Sequence, residues 1–420
     1  MPTTLTKKVK IQLTDYSYKK DIDNRLFLAS LKPFETEVLK EILCSSLKIP
    51  FSELEDHFEC SKDTLLPVIE KLSTSGLLHC HKDAIFVDKE KRKALEFHVE
   101  KYEEDFEADL KYIQRLLKTL PFATLPCWYS LPKTTDNIFS SLVEKYFVKP
   151  KIFEWHLREL VFHDPVFDGI IEDLYKSKEL SLSIESVKKR YKLSSEALEE
   201  VLLTLELHFA LFVTFKQEKG KWKGFLTPLK EWRDLLLFKK KTIPKEIKNK
   251  KEVDISSPKE HKELEALIKR LTKKPKDEDL EKLDGTDLEQ FLDLGIHEQA
   301  IIYYRHLKEK FLNEESLSID NPAKAIREIE KSLKRAAGLE WVSFDDFVKG
   351  FIAHIGSSEP IELKKTGITW QYSLPTYEKE EIAFIESVIF SLFQKAGIVK
   401  TGIYKKKPCF ALTDFGKLII

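Results

Sequence analysis

Three stretches of this chain close in the same way, and that recurrence constrains its fold more than any other feature. Phe410-Ala411-Leu412-Thr413, Phe225-Leu226-Thr227 and, in weaker form, Ala84-Ile85-Phe86-Val87 each follow a lysine-bearing turn and return apolar residues to a core. Helical spacing of apolar residues stands before each of them. Three such endings predict three modules of one design.

In the first, Phe34, Val38, Leu39, Ile42 and Leu43 recur at helical spacing behind Leu31 and Pro33. A short second helix carries Phe51, Leu54 and Phe58, with Ser52 expected as its N-cap. Ser61 then opens a third, with Leu65, Leu66, Val68, Ile69 and Leu72 on one face and Gly76 as the stop. Residues 77–87 read as a hairpin with Lys82 and Asp83 at the tip. Three helices and a hairpin in this order predict a winged helix-turn-helix.

The second module repeats the order. Phe167, Ile170, Ile171 and Leu174 lie on its first helix, Lys188, Lys189 and Arg190 on its second, and Leu198, Val201, Leu202, Leu205 and Phe209 on its third, capped by Ser194 or Ser195. The third module is expected to start at Trp341 with Val342, Phe344, Phe347 and Phe351 on a first helix. Ile382 to Phe393 form an apolar helix that Gly397 ends, and a wing runs to Phe410.

The expected fold is mainly α with small β-hairpins, an α+β array of winged-helix modules joined by helical connectors. Its boundaries are a poorly structured lead-in at 1–30, modules at 31–97, 166–237 and 339–420, and connectors at 98–165 and 263–338. The first connector should hold a helix over residues 102–117, a Pro-rich break near Trp128 and Tyr129, and aromatics including Phe153 and Trp155 that pack between modules. Between 238 and 262 lysines crowd among Pro244, Asn249 and Pro258 with too few apolar residues to offset the entropy of ordering, so this linker is expected to be disordered. With 13 Gly and 17 Pro in 420 residues, an all-β fold rich in tight turns is excluded.

Lys+Arg and Asp+Glu are equal at 70 each, so attraction of a polyanion has to come from local patches. Two hairpins offer them. Lys216, Lys219, Lys221 and Lys223 surround Trp222 on the second wing, and Lys405, Lys406 and Lys407 occupy the turn of the third. Lysines interleaved with an aromatic suit phosphates and an exposed base; the same hairpin could equally pack Trp222 on its own module. With Lys188, Lys189 and Arg190, these are the candidate nucleic-acid-binding residues. The first module's third helix offers only Lys62 and Lys71 against Asp63 and Glu70, with no Arg, Asn or Gln for base edges.

Chemistry of other kinds finds no support in the sequence. A phosphate-cradling loop is missing, and His297-Glu298 begins a zinc-hydrolase pattern whose second histidine is replaced by Ile301. His79-Cys80-His81 sits on a strand, where neighbours point to opposite faces and cannot converge on one ion. Neither catalysis, nor a metal, nor a cofactor is expected. Five scattered cysteines without a C-x-x-C pair, the lack of a signal peptide and the lack of a bilayer-length apolar run predict a cytoplasmic protein with no membrane contact.

Leu31-Lys32-Pro33-Phe34-Glu35-Thr36-Glu37-Val38-Leu39 with the helix and wing that follow, Trp341-Val342-Ser343-Phe344, Trp370-Gln371-Tyr372 and Gly397-Ile398-Val399 carry a resemblance. They are similar to the motor-less N-terminal region of bacterial helicase-like proteins related to the XPB class. Such regions stand in front of a helicase motor, and no motor motif appears in these 420 residues. What the resemblance implies is an accessory subunit working with a helicase or polymerase complex. The leading expectation is a non-enzymatic protein that holds a DNA or RNA backbone without sequence preference. A protein-interaction scaffold without nucleic-acid contact is the alternative, and a transcriptional regulator a third.

Overall fold

The apolar stripes do become helices in the computed structural model, which describes residues 18–119, 137–256, 262–273, 288–313, 319–357 and 359–420. The fold is mainly α with small antiparallel sheets. It divides into two units, one of residues 1–237 with 363–372, the other of residues 238–362 with 373–420.

In the first unit, α1 (Tyr18–Ala29) precedes α2 (Pro33–Cys44), β1 (Lys48–Pro50), α3 (Phe51–Phe58), α4 (Lys62–Ser73), β2 (Leu78–His81) and β3 (Ala84–Val87). The sheet runs β1-β3-β2, with Ile49 opposite Ile85 and Leu78 opposite Val87. Val38, Leu39, Ile42, Leu54, Leu65, Ile69, Leu72 and Ile85 meet in one sealed core. Of two expected caps one differs: Pro50, not Ser52, holds the N-cap position of α3, whereas Ser61 holds that of α4 as expected, its hydroxyl pairing with that of Thr64 rather than with a backbone N–H. The expected lead-in also changes at its end, because residues 18–29 form α1 and bury Ile22, Arg25 and Leu28.

Asp88 caps α5 (Lys89–Val99), accepting from the Lys91 N–H, and a short 3-10 turn Glu100–Tyr102 follows. The expected helix over 102–117 begins later, as α6 (Leu110–Thr119), because Asp109 accepts from the Tyr112 N–H and starts it there. The Pro-rich break with Trp128 and Tyr129 lies outside the described residues. After α7 (Ile138–Leu142), a π-turn and α8 (Pro150–Glu159), the first pattern returns. It comprises α9 (Pro165–Lys176), β4 (Leu182–Ser183), α10 (Ile184–Tyr191), α11 (Ser195–Leu207), β5 (Phe212–Glu218) and β6 (Lys221–Thr227), with sheet order β4-β6-β5. Ser194 caps α11 by accepting from the Ala197 N–H. Ile170, Leu174, Leu202, Leu205 and Leu226 fill this core. The last helix of the unit, α12 (Lys230–Lys241), runs across the boundary into the second.

The second unit corrects the expected linker. Described residues 242–256 form an ordered edge, not a free tether: the Ile247 N–H donates to the Trp341 carbonyl at 2.9 Å, and β7 (Asp254–Ile255) pairs with a strand of the third module. Ile247 and Val253 sit buried against Trp341, Cys409 and Ala411. Two apolar anchors and a sheet edge that satisfies backbone groups suffice where the count of apolar residues argued otherwise. Residues 257–261 lie outside the description.

Helices α13 (Lys262–Lys273), α14 (Leu288–Asp293), α15 (Ile296–Leu312) and α16 (Pro322–Ser332) then lead to β8 (Val342–Ser343) and α17 (Phe344–Lys349). Val342 was expected on a helix. It pairs instead with Phe410, so α17 is the second helix of this module and α16 the first. The hairpin β9 (Leu363–Thr366) and β10 (Thr369–Tyr372) belongs to the first unit, where the Leu363 N–H meets the Val148 carbonyl and Tyr372 Oη donates to Phe147. In the second unit, α18 (Lys379–Ser387) continues as a π-turn to Phe393, and Gly397 at φ 75° releases the chain into β11 (Val399–Tyr404) and β12 (Lys407–Leu412). Sheet order is β7-β11-β12-β8, which read from β8 is the order of the two three-stranded sheets with β7 added at the far edge.

The final turn α19 (Asp414–Ile419) is tied down by Thr413, whose hydroxyl donates to the Gly397 carbonyl at 2.6 Å and accepts from the Gly416 N–H at 2.9 Å. A Cβ on Gly416 would fall well inside contact distance of the Ile398 carbonyl. Gly416→Ala should therefore lower stability by about 1–3 kcal/mol, read as a shifted urea midpoint; an unchanged midpoint would show that this turn has room to move.

Candidate functional site

The groups held under the strongest electrostatic constraint were not among the candidates from sequence. Glu206 of α11 is fully buried in the first unit. Its Oε2 accepts from Arg25 Nη2 of α1 at 2.6 Å, and its Oε1 from Lys101 Nζ at 2.7 Å and from Tyr112 Oη of α6 at 2.8 Å. Arg25 Nε also reaches Asp21 at 3.3 Å, and His98 Nε2 lies 2.6 Å from the same Asp21 oxygen. Burial alone would push the Glu206 carboxyl up. Attraction to Lys101 and Arg25 and hydrogen bonds from both outweigh it and hold the group at about 2. Burial also draws the Lys101 ammonium down, against the opposite pull of Glu206, while burial of Arg25 is outweighed by Glu206 and Asp21, which raise it. The cavity beside this cluster, lined by Arg25, His98, Lys101, Tyr102, Glu199 and Phe215 among others, measures about 20 Å³. That is the space of a single water and admits no organic substrate.

The second wing lies against the first module. Register places Lys216 opposite Lys223 and Gln217 opposite Trp222, so the lysines and Trp222 face opposite ways. On the inner face, Phe215 stacks on Tyr102 with ring centres 4.1 Å apart, Trp222 meets Tyr102 edge-on at 5.3 Å, and the indole N–H donates to Thr36 Oγ1 at 2.9 Å. Trp222 is thus packed on the first module's core and its one donor is taken. On the outer face Lys223 pairs with Glu218 at 2.7 Å and Lys216 lies over the Phe225 ring. Lys219 and Lys221 are exposed at the tip.

Other candidates divide similarly. On α10, Lys188 donates to Ser195 Oγ at 2.6 Å, Arg190 pairs with Asp173 at 3.0 Å, and Lys189 is exposed. In the second unit Lys407 pairs with Asp345 at 2.6 Å, whereas Lys405 and Lys406 are exposed and both left-handed, at φ 49° and 63°. From the former linker, Lys250 pairs with Glu340. The candidates of the first unit lie on α10 and on the hairpin of β5 and β6, and those of the second on the hairpin of β11 and β12.

What the three modules share is acidic. The helix that would enter a groove carries exposed Asp63 and Glu70 on α4, Glu196 and Glu200 on α11, and Glu380 and Glu386 beside one exposed cation, Lys379, on α18. On α4 the cations are already spoken for, Lys62 by Asp83 at 2.6 Å and Lys71 by Glu35 at 2.5 Å. No group of three His, Cys, Asp or Glu among the described residues could hold a metal, and His297 stacks on Phe415 instead. Among the described residues no helix is long and apolar enough to cross a membrane.

Arg25 falls in the stretch expected as a poorly structured lead-in, and Glu206 is one of many scattered carboxylates of which no pair stands out in the sequence. Its position three or four residues from Leu202, Leu203 and Phe209, all buried, was the available signal. Trp155 was assigned to packing but is 61% exposed. No family model matches the chain, and neither a curated protein nor a solved structure matches it. The helicase-region resemblance therefore rests on residue patterns alone.

Glu206→Gln should cost about 3–5 kcal/mol, because it removes the countercharge hydrogen-bonded to buried Lys101 and leaves buried Arg25 with Asp21 alone. With a folded pKa near 2 against an ordinary 4.5, the carboxylate contributes stability that is complete above pH 4.5 and lost as pH falls towards 2. Urea unfolding at pH 7 and pH 3 should show the penalty shrinking in acid, and an equal penalty at both would refute the charge argument.

Glu231 of α12 titrates the other way. Its Oε1 accepts from the Leu110 N–H at 3.1 Å, but burial leads and pushes the carboxyl up to about 7. Stability tied to this group is complete below pH 4.5 and is lost as pH rises through 7. Glu231→Gln should flatten that decline between pH 5 and pH 8 in the same urea assay, and an unaltered slope would exclude Glu231 as its source.

Proposed function

We propose that the chain is a non-enzymatic scaffold of three winged-helix modules that acts by binding other proteins. The recurrent module order and sheet order support the modular reading. The observation that carries the functional one is the acidic exposed face on the third helix of every module, where a duplex reader needs cations and amide side chains. Carboxylates at that position repel phosphate and suit a basic protein surface. The second wing supports the same reading, since its aromatic is spent on holding two modules together. Cys44 and Cys80, both exposed free thiols, fit the reducing cytoplasm in which we place it.

A second reading is kept by one observation. Lys219, Lys221, Lys405 and Lys406 stand exposed on hairpin tips, where they could hold a DNA or RNA backbone beside a helicase or polymerase complex. The two readings part on salt. Anisotropy of labelled single- and double-stranded DNA between about 50 and 200 mM salt should show no saturable binding. Saturable binding at low salt that Lys219→Glu with Lys221→Glu abolishes would overturn the scaffold reading in favour of the second.

A further inference from the structure

The hairpin of β9 and β10, which lies in sequence between two parts of the second unit, rests on the first with little of itself buried. Within residues 363–372 only Leu363 and Tyr372 are buried. They stand opposite each other in register, and each supplies a donor to a carbonyl that needs one. The π-turn ends at Phe147 and α8 begins at Pro150, so the carbonyls of Phe147 and Val148 have left one helix without entering the next. The Leu363 N–H donates to Val148 at 2.9 Å, and Tyr372 Oη to Phe147 at 2.8 Å. Edge-on ring contacts of Tyr372 with Trp232 at 6.3 Å and of Trp370 with Phe139 at 6.4 Å add to this hold.

Beside Trp232 on α12 stands Glu231, which is buried. Its Oε1 has the Leu110 N–H, whereas Oε2 is sealed from solvent and meets no donor among the described residues. Tyr372 is near enough for burial and the Glu231 carboxylate together to push its phenol up. It cannot serve Oε2, because its one O–H is spent on Phe147. Asp109 faces Glu231 from the start of α6 and opposes the carboxylate, while Lys230 favours it but is paired with Glu107, as is Arg233. His156 of α8 is turned to the His208 carbonyl at 3.2 Å, and Tyr175 of α9 donates to the Ala210 carbonyl at 3.2 Å. Burial leads these effects and pushes the Glu231 carboxyl up to about 7. A neutral acid therefore stands beside the hairpin's anchor below neutrality, and a carboxylate short of a donor stands there above it.

Something has to admit water to that carboxylate, and the elements around it differ in what they would give up. Helices α6 and α12 are rooted in the core through Leu110, Ile113, Leu116, Trp232 and Leu235. The hairpin holds by two buried residues, and a two-stranded hairpin is only marginally stable alone.

We propose that the hairpin of β9 and β10 is a clasp on the first unit, which holds while the Glu231 carboxyl is protonated and lets go when it ionises. The chain passes between the two units at three points, and two of them bracket this hairpin. Release leaves α12 as the one connection, so pH sets whether the chain joins the units once or three times. This inference rests on neither functional reading above.

Hydrogen exchange of the full chain, read by mass spectrometry and corrected for the intrinsic pH dependence of amide exchange, tests the clasp. With Glu231 returning to an ordinary 4.5 on release, opening of residues 363–372 should rise about tenfold from pH 6 to pH 8, and β11 with β12 should not follow it. At pH 8 the hairpin should open at least about tenfold more often than the first module's core strands, as a local event does. Glu231→Gln should remove the rise. Tyr372→Phe keeps the ring on Trp232 and loses only the hydroxyl, so it should raise opening about threefold or more at both pH values with the tenfold ratio kept. Far-UV circular dichroism checks that both variants fold, and the wild-type comparison decides the matter if Glu231→Gln does not. A wild-type hairpin without the rise overturns the proposal. So does a rise that Glu231→Gln retains, or a hairpin that exchanges no faster than the core and hence leaves only when the unit unfolds.

Discussion

A carboxylate sealed from water and answered by three donors is the interaction on which the first unit depends. Glu206 comes from α11 of the second module, Arg25 from α1, Lys101 from the turn after α5, and Tyr112 from α6. Each of these elements is placed by the need to supply one donor, because a buried charge short of a partner costs several kcal/mol. An apolar interface of equal area would tolerate sliding, since burial is non-directional. A single guanidinium N–H from Arg25 on one oxygen and an ammonium with a phenol on the other tolerate little. The cluster therefore contributes more to specifying one arrangement of the two modules than to the net stability of that arrangement.

This lock explains the fate of the second wing. With α11 held against α1 and the turn after α5, the hairpin that follows α11 is brought over the first module, and Phe215 and Trp222 meet Tyr102 there. The Tyr102 ring lies one residue from Lys101, so one short turn supplies both the charge for Glu206 and the ring for the wing. Period-two alternation then leaves Lys216 and Lys223 on the outer face. On the third wing, which carries a comparable run of lysines, Tyr404 packs on the small core of Ile247, Val253, Trp341, Cys409 and Ala411. The wing's Lys405 and Lys406 occupy a two-residue turn that requires left-handed backbone at both central positions, a conformation that costs a non-glycine residue about 1 kcal/mol or more.

Much of the fold was legible in the sequence because local rules agreed with each other. Val38, Leu39 and Ile42, or Leu198, Leu202 and Leu205, have helical spacing, and their burial follows from it. Where local and tertiary rules diverged the reading failed. Val342 has neighbours that continue a helical pattern, but the edge of β12 offered Val342 a strand partner at Phe410. Residues 242–256 looked too polar to order, and they are ordered by a sheet edge that no composition reveals. The candidate lysines were legible as lysines. What could not be read was their pairing, because Lys407 finds Asp345 and Lys250 finds Glu340 across many residues of chain. Glu206 illustrates the general difficulty, since a buried ion is defined by partners that lie 105 and 181 residues away.

The chain path makes the first unit depend on a segment that lies in sequence between two parts of the second. Between α17 and α18 of the third module the chain leaves its own unit, forms β9 and β10 as part of the first, and returns at Ser373. A two-stranded hairpin is only marginally stable alone, and this one is held where the Leu363 N–H meets Val148 and Tyr372 meets Phe147 and Trp232. Removing everything after residue 237 would therefore strip the first unit of a partner for the Phe147 and Val148 carbonyls and uncover the ring of Trp232. Removing the hairpin from the third module would instead leave that module's own core, from Phe347 to Phe410, intact. The dependence runs mainly one way: the first unit needs a segment delivered by the second, and the second has no comparable need of that segment.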